Sequence, residues 1–141
     1  MIYVGIDTGR DTGLAVWDSG RRVFRAIETV RIHRAIETVR ALERANPGRV
    51  RVVFEDARKR RFFQRERTEA EYRGHLMGAG SVKRDATIWE DALTDYGIPF
   101  EATPPRRGLT KWDATAFQRA TGWTGRTSNH ARDAALLVFG R

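Results

Sequence analysis

Residues 2–7, Ile-Tyr-Val-Gly-Ile-Asp, are an apolar run closed by an acid, the pattern of a short buried strand. Gly9 and Gly13 punctuate the next stretch, and Leu14–Trp17 reads as a second strand. Asp18-Ser19-Gly20-Arg21 is a turn signal, and the alternation over Arg22–Val30 predicts a third strand. These three make an antiparallel meander. The heptapeptide Arg-Ala-Ile-Glu-Thr-Val-Arg then occurs twice, at 25–31 and 34–40. Two copies fall short of the roughly three units that a solenoid needs. The first copy continues the alternation of Val23, Arg25, Ile27 and Thr29. The second sets Ile32, Ile36, Val39 and Leu42 at spacings of 4, 3 and 3, a helical stripe. One peptide is therefore expected as strand in its first copy and helix in its second, against a reading in which both are helical.

Asn46-Pro47-Gly48 stops that helix. Val50–Glu55, rich in β-branched residues, predicts a fourth strand ending in the acids Glu55 and Asp56. Glu69–Gly80 and Asp85–Tyr96 read as helical, as one helix with a glycine-containing bend or as two. Gly97 closes this region and Ile98–Ala102 is a fifth strand. Pro104–Gly108 is a loop, Lys111–Ala120 a helix, Gly122–Ser128 a loop and Asn129–Phe139 a last helix. The order βββαβαβα predicts an α/β domain with a mixed five-stranded sheet, a meander plus parallel strands, flanked by helices.

The 141 residues suit one domain, and 40% hydrophobic against 31% charged residues suit a packed core. The absence of cysteine excludes disulfides, zinc–thiolate sites, Fe–S clusters and a cysteine nucleophile. No apolar run approaches the ~20 residues of a membrane span. The opening MIYVGID lacks the basic start and apolar stretch of a signal peptide, so a cytoplasmic location is expected. Net charge is +8, and 23 of the 26 basic residues are Arg. Such a surface favours polyanions, nucleic acid first among them, and Arg suits bidentate phosphate contacts.

Three element ends present acids. Asp7 ends the first strand, Glu55 and Asp56 end the fourth, and Asp133 lies early in the last helix, three residues after His130. Residues i and i+3 share a helix face, so His130 and Asp133 point to one place. If the first and fourth strands are neighbours, Asp7 and Glu55 share one edge of the sheet. Clustered carboxylates repel unless cations neutralise them. Two hard cations about 3.5–4 Å apart are the usual resolution, and they suit phosphodiester hydrolysis.

The segments VGIDTGRDTGLAVWD (4–18), VVFED (52–56) and HARDAALLV (130–138) together resemble RuvC-type Holliday junction resolvases, most closely a phage-like member. These are metal-dependent DNA endonucleases of the RNase H-like superfamily, and the predicted element order is that of the RNase H fold. The resemblance runs in order over nearly the whole chain and implies a single RNase H-like nuclease domain over 1–141. It implies Asp7, Glu55, His130 and Asp133 as catalytic metal ligands for two Mg²⁺ or Mn²⁺ ions. The neighbouring Asp56 leaves open a slip of the second ligand by one position. Lys111 is carried over as a phosphate contact or electrostatic helper. The resemblance further implies a homodimer making paired symmetric nicks in branched DNA, in a host cytoplasm if the gene is phage-borne.

The segment RKRRFFQRER (58–67) holds six basic residues and one acid, a run that is ordinarily a solvated face. Following Glu55, it would border the site. Arg58, Lys59, Arg60, Arg61, Arg65 and Arg67, with Arg106 and Arg107 of the later loop, are expected to contact DNA. Phe62 and Phe63 are expected to divide the work, one buried and one stacked on an exposed base, which is worth about 1–3 kcal/mol. Gly74, Gly78 and Gly80 in a helical region suggest close helix approach, either across a dimer or onto the chain's own sheet. His33 and His75 read as structural or surface residues, and the four scattered Trp as core or helix-packing residues.

Three other functions fit parts of the pattern. YqgF-type nucleases act on RNA and share the opening Asp-x-Gly hairpin. IDTGRDTG also resembles the first phosphate motif of sugar kinases and actin-like ATPases, whose two domains exceed 141 residues. A non-catalytic junction binder would use the basic surface but gain nothing from the acids.

Overall fold

The computed structural model describes residues 1–59, 68–105 and 112–141. Five strands, β1 (Ile2–Asp7), β2 (Asp11–Asp18), β3 (Val23–Arg31), β4 (Val50–Glu55) and β5 (Phe100–Thr103), form one mixed sheet. Their order across it is β3-β2-β1-β4-β5. The first three are antiparallel neighbours, as the meander predicts. β4 then runs parallel to β1, and β5 parallel to β4. The helices are α1 (Ile32–Ala45), α2 (Glu69–Asp95), α3 (Ala114–Thr121) and α4 (Asn129–Val138), with a short 3-10 turn at Ala57–Lys59.

Alternation along the strands divides the core in two. Ile2, Val4, Ile6, Leu14, Val16, Val52 and Phe54 meet Ala35 and Val39 of α1 and Ala86, Trp89 and Leu93 of α2 on one face. Ala15, Trp17, Ile27 and Val53 meet Phe117 of α3 and Ala131, Ala134, Ala135 and Val138 of α4 on the other. The chain is thus a three-layer α/β/α domain, with both sheet faces covered. Burying each large aliphatic or Phe side chain of these layers contributes about 1.5–3 kcal/mol.

The repeated heptapeptide takes two structures. Arg25–Arg31 is strand, with Ile27 buried, and Arg34–Arg40 is helix, with Ala35 and Val39 buried. The two apolar periods are served by different neighbours. Ile27 belongs to the α3/α4 side, and Ala35 and Val39 to the α1/α2 side.

Several element limits differ from the sequence expectation, whereas α2 follows one of its two readings. β2 begins at Asp11, so Gly13 lies inside the strand rather than punctuating it. β5 begins at Phe100, because Ile98 turns its N–H back to the Leu93 carbonyl at 2.9 Å as α2 ends. α2 is one continuous helix. α3 begins at Ala114, where the Asp113 carboxylate accepts from the Ala116 N–H at 2.7 Å and caps the helix. Trp17 and Trp89 are buried, Trp112 and Trp123 pack partly buried against the α3/α4 core, and His33 is exposed. A Cβ on Gly80 would meet nothing within 4 Å, so close packing on its own sheet does not account for that glycine.

Candidate active site

The site forms where β1, β4 and α4 meet. Ile6 pairs in parallel register with Phe54, so the next residues, Asp7 and Glu55, come side by side. Thr8 fastens the two ends, its hydroxyl donating to the Glu55 carbonyl at 3.0 Å. Strand alternation puts Asp7 and Glu55 on the face of Val53, the face that α4 covers.

Two glycines bring α4 down onto that face. A Cβ on Gly5 would lie 2.0 Å from the Ala134 carbonyl oxygen, and one on Gly13 only 1.9 Å from that of His130. Any side chain at either position would lift the helix. Gly13 pairs with Asp7, and Gly5 with Ala15. The first turn of α4 therefore rests beside the end of β1. Ser128 caps the helix, accepting from the Ala131 N–H at 3.1 Å.

The outcome is a direct contact. His130 Nδ1 lies 2.8 Å from Asp7 Oδ2, with the imidazole 58% exposed and the Asp7 side chain 17% exposed. Asp133 comes one helical turn later and is partly buried, as is Glu55. The structure thus pairs Asp7 with His130 and places Glu55 beside Asp7 on the same face. It does not draw the acids further together. Among the described residues, no three or more His, Cys, Asp or Glu side chains stand close enough to hold a metal ion. The donor set nevertheless suits a hard divalent cation, being carboxylate oxygens with one imidazole.

Asp56 has a different task. It is 2% exposed, and Arg58 holds both of its oxygens. The Arg58 Nε and backbone N–H donate to Oδ1 and its Nη2 to Oδ2, each at 2.9 Å. Arg58 also reaches Glu90 of α2 at 2.5 Å. The Arg58 guanidinium holds the Asp56 carboxyl below the usual carboxylate range, and the guanidinium is in turn held more firmly protonated by Asp56 and Glu90. The slip of ligand from Glu55 to Asp56 left open by the sequence finds no support here. Asp56 is committed to a buried ion pair that ties the end of β4 to α2. Arg58, expected at DNA, is spent on the same pair. Lys59 donates to the Ala102 carbonyl at 2.5 Å.

Arg60, Arg61, Phe62, Phe63, Arg65, Arg67, Arg106, Arg107 and Lys111 lie outside the described residues. Sequence reasoning passes over the close approach at Gly5 and Gly13, and over Arg132. Arg132, 8% exposed, binds the carbonyls of Trp112 and Thr127 at 2.9 and 2.8 Å and Asn129 Oδ1 at 2.5 Å, anchoring the approach to α4. An arginine inside an alanine-rich helix stretch is the one signal that points to it.

Compared with known proteins, the chain matches no family model, and no curated protein matches it.

Proposed function

We propose that this chain is a metal-dependent endodeoxyribonuclease of the RNase H-like superfamily that resolves four-way junctions and related branched DNA. The observation that carries this reading is the seating of α4 on Gly5 and Gly13, which brings His130 to Asp7 at the sheet edge shared with Glu55. The strand order β3-β2-β1-β4-β5, a meander continued by parallel strands, supports the superfamily. The charge of +8 supports a polyanionic substrate.

Asp7, Glu55, Asp133 and His130 would hold two Mg²⁺ or Mn²⁺ ions. When bound, such a pair supplies Lewis acidity and charge neutralisation to the reacting phosphodiester. His130 orients Asp7 through Nδ1. With the proton on Nδ1, its Nε2 keeps a lone pair for a metal or a proton. Thr8 holds the strand ends in register, and the Asp56–Arg58–Glu90 network keeps the backbone beside Glu55 from shifting. Paired nicks in opposing strands require two such sites, so the acting species is a two-fold dimer. Among the described residues no helix is long and apolar enough to cross a membrane, and the proposed setting is the cytoplasm.

The test is cleavage of an end-labelled four-way junction, beside linear duplex and structured RNA, with Mg²⁺, Mn²⁺ or chelator. Metal-dependent paired nicks in the junction, lost in Asp7→Asn and Asp133→Asn, are expected. Cleavage of the RNA alone would transfer the chain to the YqgF-type reading. Junction binding without cleavage in any metal would leave a branched-DNA binding protein.

A further inference from the structure

Arg22 holds a backbone conformation that its side chain does not favour. Its φ is 55°, and among the described residues it is the only one besides glycine in the left-handed region. Glycine or asparagine fits there at less cost, so an arginine in this place is strained and points to a use for its side chain. The turn that carries it is firmly built. Asp18 Oδ1 accepts from the Gly20 and Arg21 N–H groups at 3.0 and 3.1 Å, and its Oδ2 accepts from Arg25 Nε at 3.0 Å. Ser19 donates to the Met1 carbonyl through both its N–H and its hydroxyl, each at 3.1 Å.

That turn lies at the end of the sheet remote from the acids. Val23, Asp18, Ile2 and Val50 pair in one row across β3, β2, β1 and β4. Just beyond the row, Arg22 stands at one side and Arg49 at the other, three strand spacings or about 14 Å apart. Arg21 precedes Arg22 in the turn, Arg51 follows Arg49 on β4, and Arg44 lies in the last turn of α1. All five are exposed, and none forms an ion pair with a described residue. The acids next to them are already engaged. Asp18 holds Arg25, and Glu43 accepts from the Gly48 N–H at 2.7 Å. Ile2 and Asp7 stand at opposite ends of β1, about 17 Å apart, so this edge is a surface separate from the candidate active site.

Uncompensated positive charge spread along an edge attracts a polyanion. Residues 18–22 and 46–51 carry no aromatic ring on which a base could stack, so the surface suits phosphates rather than bases. Arginine forks fit phosphate oxygens. The span of about 14 Å compares with the ~12 Å width of the major groove, which is bordered by two phosphate rows. We propose that the turn at Arg21 and Arg22, with Arg44, Arg49 and Arg51, is a second DNA surface that grips the backbone of a duplex segment without reading its sequence. Binding of a polyanion here stands apart from the nuclease reading, and the choice of DNA as that polyanion rests on it. In that reading the edge holds a duplex arm away from the bond being cut.

The experiment is fluorescence anisotropy of the full chain with a labelled linear duplex, in chelator, across a range of NaCl concentrations, beside urea denaturation. The logarithm of the binding constant should fall linearly with that of the salt concentration. Arg22→Gly should weaken binding up to about fivefold and make the salt slope shallower by about 1. The same variant should raise the urea midpoint, because the turn is relieved of strain. Arg22→Lys keeps the charge and should bind close to the parent. Arg22→Gly combined with Arg49→Ser should flatten the slope by about 2. Arg84→Ala, the same change of charge on an exposed residue of mid-α2, should leave the slope as it is. A double variant that binds like the parent, or an equal loss in Arg84→Ala, would overturn the proposal. If the double variant keeps its DNA affinity and loses binding to phosphatidylserine vesicles, the edge serves a lipid surface and the proposal falls. Edge binding without metal-dependent junction cleavage would defeat the nuclease reading alone. Cleavage by a chain whose double variant binds duplex like the parent would defeat this one alone.

Discussion

Gly13 lies directly beneath the His130 carbonyl, with no room for a β-carbon between strand and helix. Gly5 stands in the same relation to Ala134, four residues further along α4. The distance from sheet to helix is thus set by two absent side chains, and the contact between His130 and Asp7 depends on it.

Gly13→Ala should therefore act on both stability and site. The overpacked methyl should cost about 3 kcal/mol, read as a lower urea midpoint at unchanged m-value. The same substitution at Gly80, whose Cβ position is open and which lies in α2, should be neutral or stabilising by up to about 1 kcal/mol. Equal effects at the two glycines would contradict the close seating of α4.

Asp56 should confer acid sensitivity. Its carboxyl is held below the ordinary value of 3.8 by Arg58, so the native state binds its proton less readily than the unfolded chain. The stability it contributes is complete above the unfolded value and is lost as pH falls through the lowered native one. Asp56→Asn should lower stability at neutral pH by about 2 kcal/mol, allowing for the partial exposure of Arg58, and flatten the decline below about pH 4. Denaturation midpoints measured across pH 2–7 in both proteins check this by the slope of the acid limb.

The duplicated heptapeptide offers one substitution in two settings. Thr38→Ala, in α1, should stabilise by a few tenths of a kcal/mol, because threonine is a poor helix former. Thr29→Ala, at the matching position in β3, should destabilise by about 1 kcal/mol, losing both strand preference and the bond to Ser128. Chemical denaturation of the two variants should give opposite signs.

Those two copies also mark how far the sequence can be read. Apolar period separates them correctly, and it places β1, β4 and the start of α4 to the residue, because acids, Asn-Pro-Gly and a serine cap bound those elements cleanly. Gly13 misleads because a glycine signals a turn and a close approach equally well. Only the packing of α4 distinguishes them. The role of Asp56 is hidden for a similar reason. Adjacent acids at a strand end point to opposite faces, and which face holds α2 and which α4 is a tertiary fact. Arg58 looks like part of a basic run until Glu90, 32 residues later, is brought to it.

His130 should tolerate a carboxylate better than a methyl. His130→Ala removes the Asp7 contact and should lower junction cleavage by about 10–100-fold, the usual effect of losing a group that orients a metal ligand. His130→Asp supplies an alternative oxygen donor and should recover much of the loss. Single-turnover rates with junction in excess Mg²⁺ check the order, and equal rates for the two variants would remove His130 from the site.

The most direct measurement is anomalous scattering from crystals of the full chain grown with Mn²⁺. The proposed chemistry predicts manganese peaks bounded by Asp7, Glu55 and Asp133, with His130 adjoining, and their disappearance in Asp7→Asn. A well-ordered map with these side chains turned apart and no manganese among them would contradict it.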